Sequence, residues 1–369
     1  MPIKPSEVIG EGSYGCIHKP SLICKDKKTI LYKNKISKLL LSKHAVSELK
    51  EYMLIAEIDK KNDFFLGMPD ICKVKLTNIS LKSAKKCKKI TKKNNGELSK
   101  SDLQNYSLLV MNYGGIDLEK YGLTFKNILD TQVNINKAIN LWKETARLFN
   151  GIHTFQKHNV MHFDIKPQNI VYDKKKNRIN FIDFGHMRKI SDSIFESTNS
   201  SNGLTSEAFW NYPFEIQFLN QDNFLKVAYL TSEERNQWFV NFQSNISLHS
   251  DDSFVIAYET FIDIFTENLS QVEKDQIESV YQTDFFATLN EQIMIENYDS
   301  FLEKSTNTVD TYGIGISLRY LLNYTRHLLP EEFNTKISEL CYFITTPDLS
   351  KRYTIEDIID KYPEIIALL

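Results

Sequence analysis

Residues 161–170 read MHFDIKPQNI and crowd an imidazole, a carboxylate, an ammonium and an amide into ten positions, at His162, Asp164, Lys166 and Asn169. Those groups at those offsets suit transfer of a charged group to a hydroxyl. Asp164 would accept or orient the hydroxyl proton. Lys166 would neutralise charge on a phosphoryl group in transfer, and Asn169 would hold a metal ion. An ordinary helix-to-strand turn would have to place all four by accident. Phe163 is the one residue such a loop does not call for.

A second carboxylate, Asp183, closes the apolar run INFI and precedes Phe184 and Gly185, nineteen residues after Asp164. There it can bind Mg2+ that bridges phosphate oxygens. Upstream, GEGSYGCI carries Gly10, Gly12 and Gly15. A Gly-rich turn lets backbone N–H groups approach phosphates with no Cβ in the way, although alone it reads equally as a plain hairpin. No helix follows it directly, which argues against a Rossmann turn, and no Gly-Lys-Ser/Thr closes it as a Walker A loop would require. A strand lysine would grip the phosphates, with a helix carboxylate fixing its ammonium. Lys38 is the first choice, with Lys33 close behind. For the carboxylate, Glu51 is preferred to Glu48, because Leu54 and Ile55 one turn on let it face a buried groove.

These groups need elements to hold them. Residues 8–38 read as strands broken by turns, and 42–60 as an amphipathic helix with Ser42 as N-cap and Ala45, Leu49, Tyr52 and Ala56 as its stripe. Residues 80–102 are polar and Lys-rich and read as a loop, while SLLVMNY (107–113) is a buried strand. Ile139, Trp142, Ala146, Phe149 and Ile152 predict one long helix over 137–157. Short strands follow at 169–173 and 179–184, then a mobile Ser/Asn-rich segment over 185–212, then mostly helix to the end. Strands with one helix first and helices afterwards predict a small sheet-rich lobe and a larger helical one.

The bulk properties allow this. The chain has 369 residues, 42% hydrophobic and 25% charged, an ordinary globular composition. A net charge of -2 gives no dominant field for nucleic acid or membrane. Five cysteines with no CxxC pair point to neither a disulfide framework nor a zinc site, and a reducing compartment is the simpler reading. No apolar signal core opens the chain and no run approaches the ~20 apolar residues of a membrane span, so a soluble, intracellular protein is expected.

The Gly-rich turn, the strand lysine, the HFDIKPQN loop and the Asp-Phe-Gly run, in this order, resemble the signature set of the eukaryotic protein-kinase superfamily, from about residue 7 to the end. LLVMNYGGIDL resembles the hinge, with Met111 near the gatekeeper position, and YPFEI stands where that family's Ala-Pro-Glu closes the activation segment, with Glu215 as the glutamate. VDTYGIG resembles the buried aspartate helix, with Asp310 bracing the catalytic loop, and Arg352 fits the late arginine that pairs with that glutamate.

The resemblance implies an α+β, bilobal protein-kinase fold. A small antiparallel-sheet N-lobe with one helix would span 1–113, with a Lys-rich insertion at about 80–102. A larger, mainly helical C-lobe would span 114–369, with a helical insertion at about 220–305. It implies a serine/threonine protein kinase, since Lys166 two residues after Asp164 resembles the Ser/Thr pattern. ATP with Mg2+, or Mn2+ in its place, would be used. Nucleotide contacts would come from Ile9, Gly10, Gly12, Gly15, Ile17, Lys38, Met111, Asn112, Tyr113, Gly114 and Asp117. Asn169 and Asp183 would hold metal, and Asp164, Lys166, Lys38 and Glu51 would carry catalysis. A small-molecule kinase of the same superfamily and a pseudokinase scaffold are the alternatives.

Several features depart from the family. Phe163 replaces the arginine that commonly grips a phosphorylated activation loop, which predicts activity without that phosphorylation. Ile36 stands where a small residue usually lies above adenine. Lys82, Lys85, Lys86, Lys88, Lys89, Lys92 and Lys93 make the 80–102 insertion a solvated loop by default, or else a docking patch for an acidic partner. The divergent N-lobe, the YGGIDLEKY hinge and the Asn/Lys/Ile bias resemble kinases of giant cytoplasmic DNA viruses, which would place the protein in host cytoplasm or the virion. The hinge is also similar to that of haspin-type kinases.

Overall fold

The computed structural model describes residues 5–12, 14–26, 29–93, 97–199, 209–248 and 253–369. The chain divides into two compact units, Met1–Gly115 and Ile116–Leu369.

The first unit is built on strands β1 (Glu7–Glu11), β2 (Gly15–Lys19), β3 (Lys35–Leu41), β4 (Asp70–Lys73) and β5 (Tyr106–Asn112), paired antiparallel in the order β1-β2-β3-β5-β4. Helix α1 (Ser42–Ile58) and the short helices α2 (Asn78–Ala84) and α3 (Lys88–Lys93) complete it. The central strands β3 and β5 pack apolar side chains on both faces of the sheet, which their period-2 alternation explains. Ile36, Leu40, Leu109 and Met111 cluster with Ala45 of α1. Leu39, Leu108 and Val110 belong to the other cluster, with Cys16, Ala84, Cys87, Ile90 and Leu98.

That second cluster corrects two expectations. Residues 80–102 are not a plain loop. Thr77 caps α2 by accepting from the Ser80 N–H (3.0 Å), and Ala84, Cys87 and Ile90 recur every three residues to cover the sheet. Lys82, Lys85, Lys88, Lys89 and Lys92 remain exposed around that apolar edge. The cysteines are also paired, as Cys16–Cys87 and Cys24–Cys72, with Cα separations of 5.9 and 5.7 Å. Partners 71 and 48 residues apart leave no local spacing to read, and the odd residue, Cys341, is buried and free. The pairing removes the ground on which a reducing compartment was expected. A smaller correction concerns Ser42, which is not the cap of α1; its hydroxyl donates to Asn105 O (2.8 Å).

The second unit contains β6 (Ile116–Asp117), β8 (Ile170–Asp173) and β9 (Arg178–Phe181) as one sheet in the order β6-β8-β9, and β7 (Val160–Met161) paired with β10 (Arg188–Lys189). Its helices are α4 (Leu118–Leu123), α5 (Gln132–Glu144), α6 (Ala146–Lys157), α7 (Ile190–Asn199), α8 (Gln221–Ala228), α9 (Ser232–Leu248), α10 (Ser253–Phe265), α11 (Gln271–Ala287), α12 (Tyr298–Thr325), α13 (Glu331–Thr345) and α14 (Ile355–Ile366). The single helix expected over 137–157 is two, broken at Thr145, whose buried hydroxyl bonds to Trp142 O and Tyr362 OH. The segment read as mobile carries β10 and α7; its residues 200–208 lie outside the described residues. Among the described residues no helix is long and apolar enough to cross a membrane.

The disulfides make a direct prediction. Unfolded without reductant, the chain should take up one alkyl group per molecule, at Cys341, and five after reduction. Reduction should also lower the thermal midpoint, since each bridge constrains a long loop of the unfolded chain by roughly 2–4 kcal/mol. Mass spectrometry of alkylated protein and a melt with and without dithiothreitol check both; five alkyl groups without reductant would refute the pairing.

Candidate active site

In the first unit, β1 and β2 form a hairpin whose Gly-rich turn is closed by the Gly12 N–H donating to Gly15 O (2.9 Å). A side chain on Gly15 would run into the Leu39 backbone, so close strand pairing requires glycine there. Ile17 lies opposite Lys38 in the ladder, and Lys38 opposite Leu109. A Cβ on Gly12 would lie 3.8 Å from Lys38 Nζ, so the turn runs alongside that ammonium. At the tip, Tyr14 stacks on His44 near the start of α1 (4.4 Å).

Lys38 lies within the third strand, whereas Lys33 lies in the exposed turn ahead of it. Lys38 Nζ pairs with Glu48 Oε1 at 2.7 Å, and both side chains are more than four-fifths buried. The preferred partner, Glu51, is therefore replaced by Glu48. One turn of α1 separates the two, and its docking on β3 and β5 brings the earlier residue to Lys38. Ile9 is exposed on β1, Gly10 packs against Ile17, and Met111 is buried beside Ile36. Asn112 Nδ2 donates to Leu66 O (2.7 Å), and the Tyr113 N–H donates to Asn34 O (2.9 Å) while Lys19 Nζ lies over its ring. Gly114 follows.

In the second unit, the loop from His162 to Asn169 leaves β7 and enters β8. Asp310, buried on α12, accepts from the His162 N–H (2.7 Å) and the Phe163 N–H (2.8 Å). Phe163 takes a left-handed backbone conformation (φ 61°), uncommon for a bulky residue. Asp164, 7% exposed, receives Lys166 Nζ on both carboxylate oxygens (2.8 and 2.9 Å). Asn169 Nδ2 donates to Asp164 Oδ2 (2.6 Å) and to its backbone carbonyl (2.9 Å). Those bonds use the nitrogen end of Asn169 and leave Oδ1 as the end suited to a cation. The loop is thus held before any substrate arrives.

Asp183 is exposed and also left-handed (φ 63°). The Ile182 N–H bonds Asn169 O (3.0 Å), which ties the Asp183 segment to the loop. His162 packs on Phe184 (5.1 Å between rings) and bonds Ile182 O (3.2 Å). An exposed carboxylate and an amide oxygen fit Mg2+, which takes few protein ligands and completes its shell with phosphates and water. Asp117 has a competing duty as the N-cap of α4, where Lys120 engages both its oxygens.

Glu215 and Arg352 form the anticipated pair, bidentate and fully buried. Just ahead of Glu215, sequence reading missed two residues. Tyr212 stacks on Phe163 (4.8 Å) and its hydroxyl donates to Phe163 O (2.9 Å). Asn211 Nδ2 donates to Asp164 Oδ1 (3.2 Å) and Ile165 O (3.3 Å). No local pattern marks either residue.

Comparison with known proteins agrees with this geometry in part. Residues 101–200, which include the loop and Asp183 but neither Lys38 nor Glu48, match the family described as "ABC1 atypical kinase-like domain". A Caenorhabditis elegans protein described as "Putative serine/threonine-protein kinase gskl-1" is 38% identical over 61 residues. That stretch is 16% of this chain and 16% of the relative, so the chain spans a small part of the protein it matches. The two matches support a kinase-type transferase of the protein-kinase-like superfamily.

Two buried groups at the loop, His162 within it and Asp310 on α12, are shifted in opposite senses. Burial lowers His162 to about 4, against opposing pulls from Asp164 and Asp183. Burial raises Asp310 to about 6, partly offset by the two N–H groups it accepts. A histidine held neutral in the fold contributes stability above about 6.5 that is lost as pH falls towards 4, by up to about 3 kcal/mol. A carboxyl with a raised value has the reverse slope over about 4 to 6. In His162→Gln only the first effect disappears. The variant's thermal midpoint should therefore fall relative to wild type as pH rises from 4 to 6.5; a constant difference across that range would contradict the assignment.

Proposed function

We propose that the protein is a serine/threonine protein kinase that transfers the γ-phosphoryl group of ATP to a protein hydroxyl. The observation that carries this is Asp164, held by Lys166 and Asn169 on a loop whose backbone is anchored to Asp310. The substrate oxygen attacks the γ-phosphorus, the bond to the β-phosphate oxygen breaks, and ADP leaves. The hydroxyl proton passes to Asp164. Lys166 moves from Asp164 to the charge growing on the phosphoryl oxygens. The Gly-rich turn and Lys38, steadied by Glu48, hold the nucleotide's phosphates, and Ile17 and Met111 line the adenine side. Asn169 and Asp183 would hold Mg2+, which would supply charge neutralisation on the phosphates.

The narrower resemblance to kinases of giant DNA viruses, with its host-cytoplasm or virion location, belongs to this proposal and rests on the N-lobe, the hinge and the Asn/Lys/Ile bias. A second reading, a small-molecule kinase, is favoured by the atypical kinase-like match over the catalytic loop. Incubation with labelled ATP, Mg2+ and casein separates them. Wild type should label casein or itself. Asp164→Asn should reduce the rate by roughly 100-fold or more, and Glu48→Gln should cost more than Glu51→Gln. Label that reaches only small molecules supports the second reading; nucleotide binding without transfer would indicate a scaffold.

The contact of Phe163 with Tyr212 supports activity that needs no activation-loop phosphate. Where a phosphate-gripping arginine would place a charge, a stacked ring joins the loop to the end of the activation segment. Arg188, near the Phe163 ring (5.4 Å), already pairs with Glu196 at 3.2 Å. Phosphatase-treated protein should keep its rate within about twofold of the untreated sample. A fall of tenfold or more, restored by phosphorylation, would sink this reading.

A further inference from the structure

We propose that Asn211 is a positioning residue for Asp164, the donor that keeps the carboxylate aimed while Lys166 is engaged elsewhere. The inference rests on the phosphoryl-transfer reading above and deepens it. Among the described residues, each oxygen of Asp164 has two side-chain donors: Lys166 and Asn211 on Oδ1, Lys166 and Asn169 on Oδ2. Lys166 is the donor whose proposed work takes it to the phosphoryl group. Once it leaves, Asn211 is, among the described residues, the side chain that remains on Oδ1, and it keeps that oxygen from turning away from the hydroxyl.

The setting of Asn211 suits that task. It is 2% exposed, and Nδ2 also bonds Ile165 O, the carbonyl next along the same loop. A flipped amide would aim its oxygen at two other oxygens, so the nitrogen end must face Asp164. The next residue, Tyr212, is fastened to Phe163 by its stack and its hydroxyl, so the amide is presented from a fixed support. Asn211 Oδ1 is buried and has no hydrogen-bond partner among the described residues. A buried acceptor left unsatisfied is unfavourable. A residue serving only to fill this space would carry no amide, so the nitrogen end gives the side chain its use.

The test compares wild type with Asn211→Asp, which keeps the shape but puts an acceptor and a negative charge against Asp164, and with Asn211→Ala. Initial rates are measured over ATP and casein concentration, well below the thermal midpoint of each variant, with the folded fraction taken from circular dichroism. Loss of a hydrogen bond to a charged group should lower kcat by about tenfold or more. The loss should be greater in Asn211→Asp, with KM for ATP changed by less than about twofold. An unchanged kcat, a loss confined to KM for ATP, or a loss that vanishes once only folded protein is counted overturns the proposal. Failure of wild type to transfer phosphate overturns the kinase reading itself, an outcome seen before any variant is compared.

Discussion

Asp310 is the point from which the loop is hung. Its carboxylate takes the N–H groups of His162 and Phe163, the two residues ahead of Asp164, and so fixes where Asp164 begins. Those bonds also help hold Phe163 in a left-handed conformation that a bulky side chain does not favour. The arrangement needs α12 to come close, and Gly313 allows it, because a Cβ there would run into the Ile165 backbone. Burial opposes the charge on Asp310 while its two donors favour it. The loop is therefore ordered by an interaction that would be unstable without its backbone partners.

The second fixed point is the Glu215–Arg352 pair. A fully buried ion pair adds little net stability, but removal of one partner strands a charge and costs about 3–5 kcal/mol. Arg352 also donates to Thr346 O (2.8 Å), and Ser305 donates to Glu215 (3.3 Å), so the pair joins the chain just ahead of α8 to α12 and the chain after α13. Asn211 and Tyr212 lie four and three residues ahead of Glu215. Their approach to the loop follows from that anchor and from the stack on Phe163. Phe163, the residue that looked out of place, is what lets an uncharged contact do this.

What could be read from the sequence was what is local along the chain. His162, Asp164, Lys166, Asn169 and Asp183 declare themselves by spacing, and Asp310 and Arg352 by flanking residues that resemble a known family. Glu48 could not be separated from Glu51, because the choice depends on how α1 docks on the sheet. The apolar spacing of Ala84, Cys87 and Ile90 was hidden by the lysines around it. Asn211 carried no signal, since its position depends on a chain that returns to the loop from 47 residues away.

The insertion that looked peripheral has a structural consequence for Lys38. Side chains on β2 and β3 alternate between faces, so a one-residue slip would exchange them. Cys16 on the back face is bonded to Cys87 of the insertion, and its neighbour Ile17 then lies opposite Lys38 on the front. Gly15 adds a second lock, because it allows the strand to sit against Leu39 where a larger residue would push it off. With that register fixed, Lys38 faces the side of the sheet that Ala45 of α1 covers and meets Glu48, and the Gly12 turn lies alongside its ammonium. The Lys-rich helices and their disulfide thus act on Lys38 from the opposite face of the sheet, by deciding which face of β2 and β3 is the front.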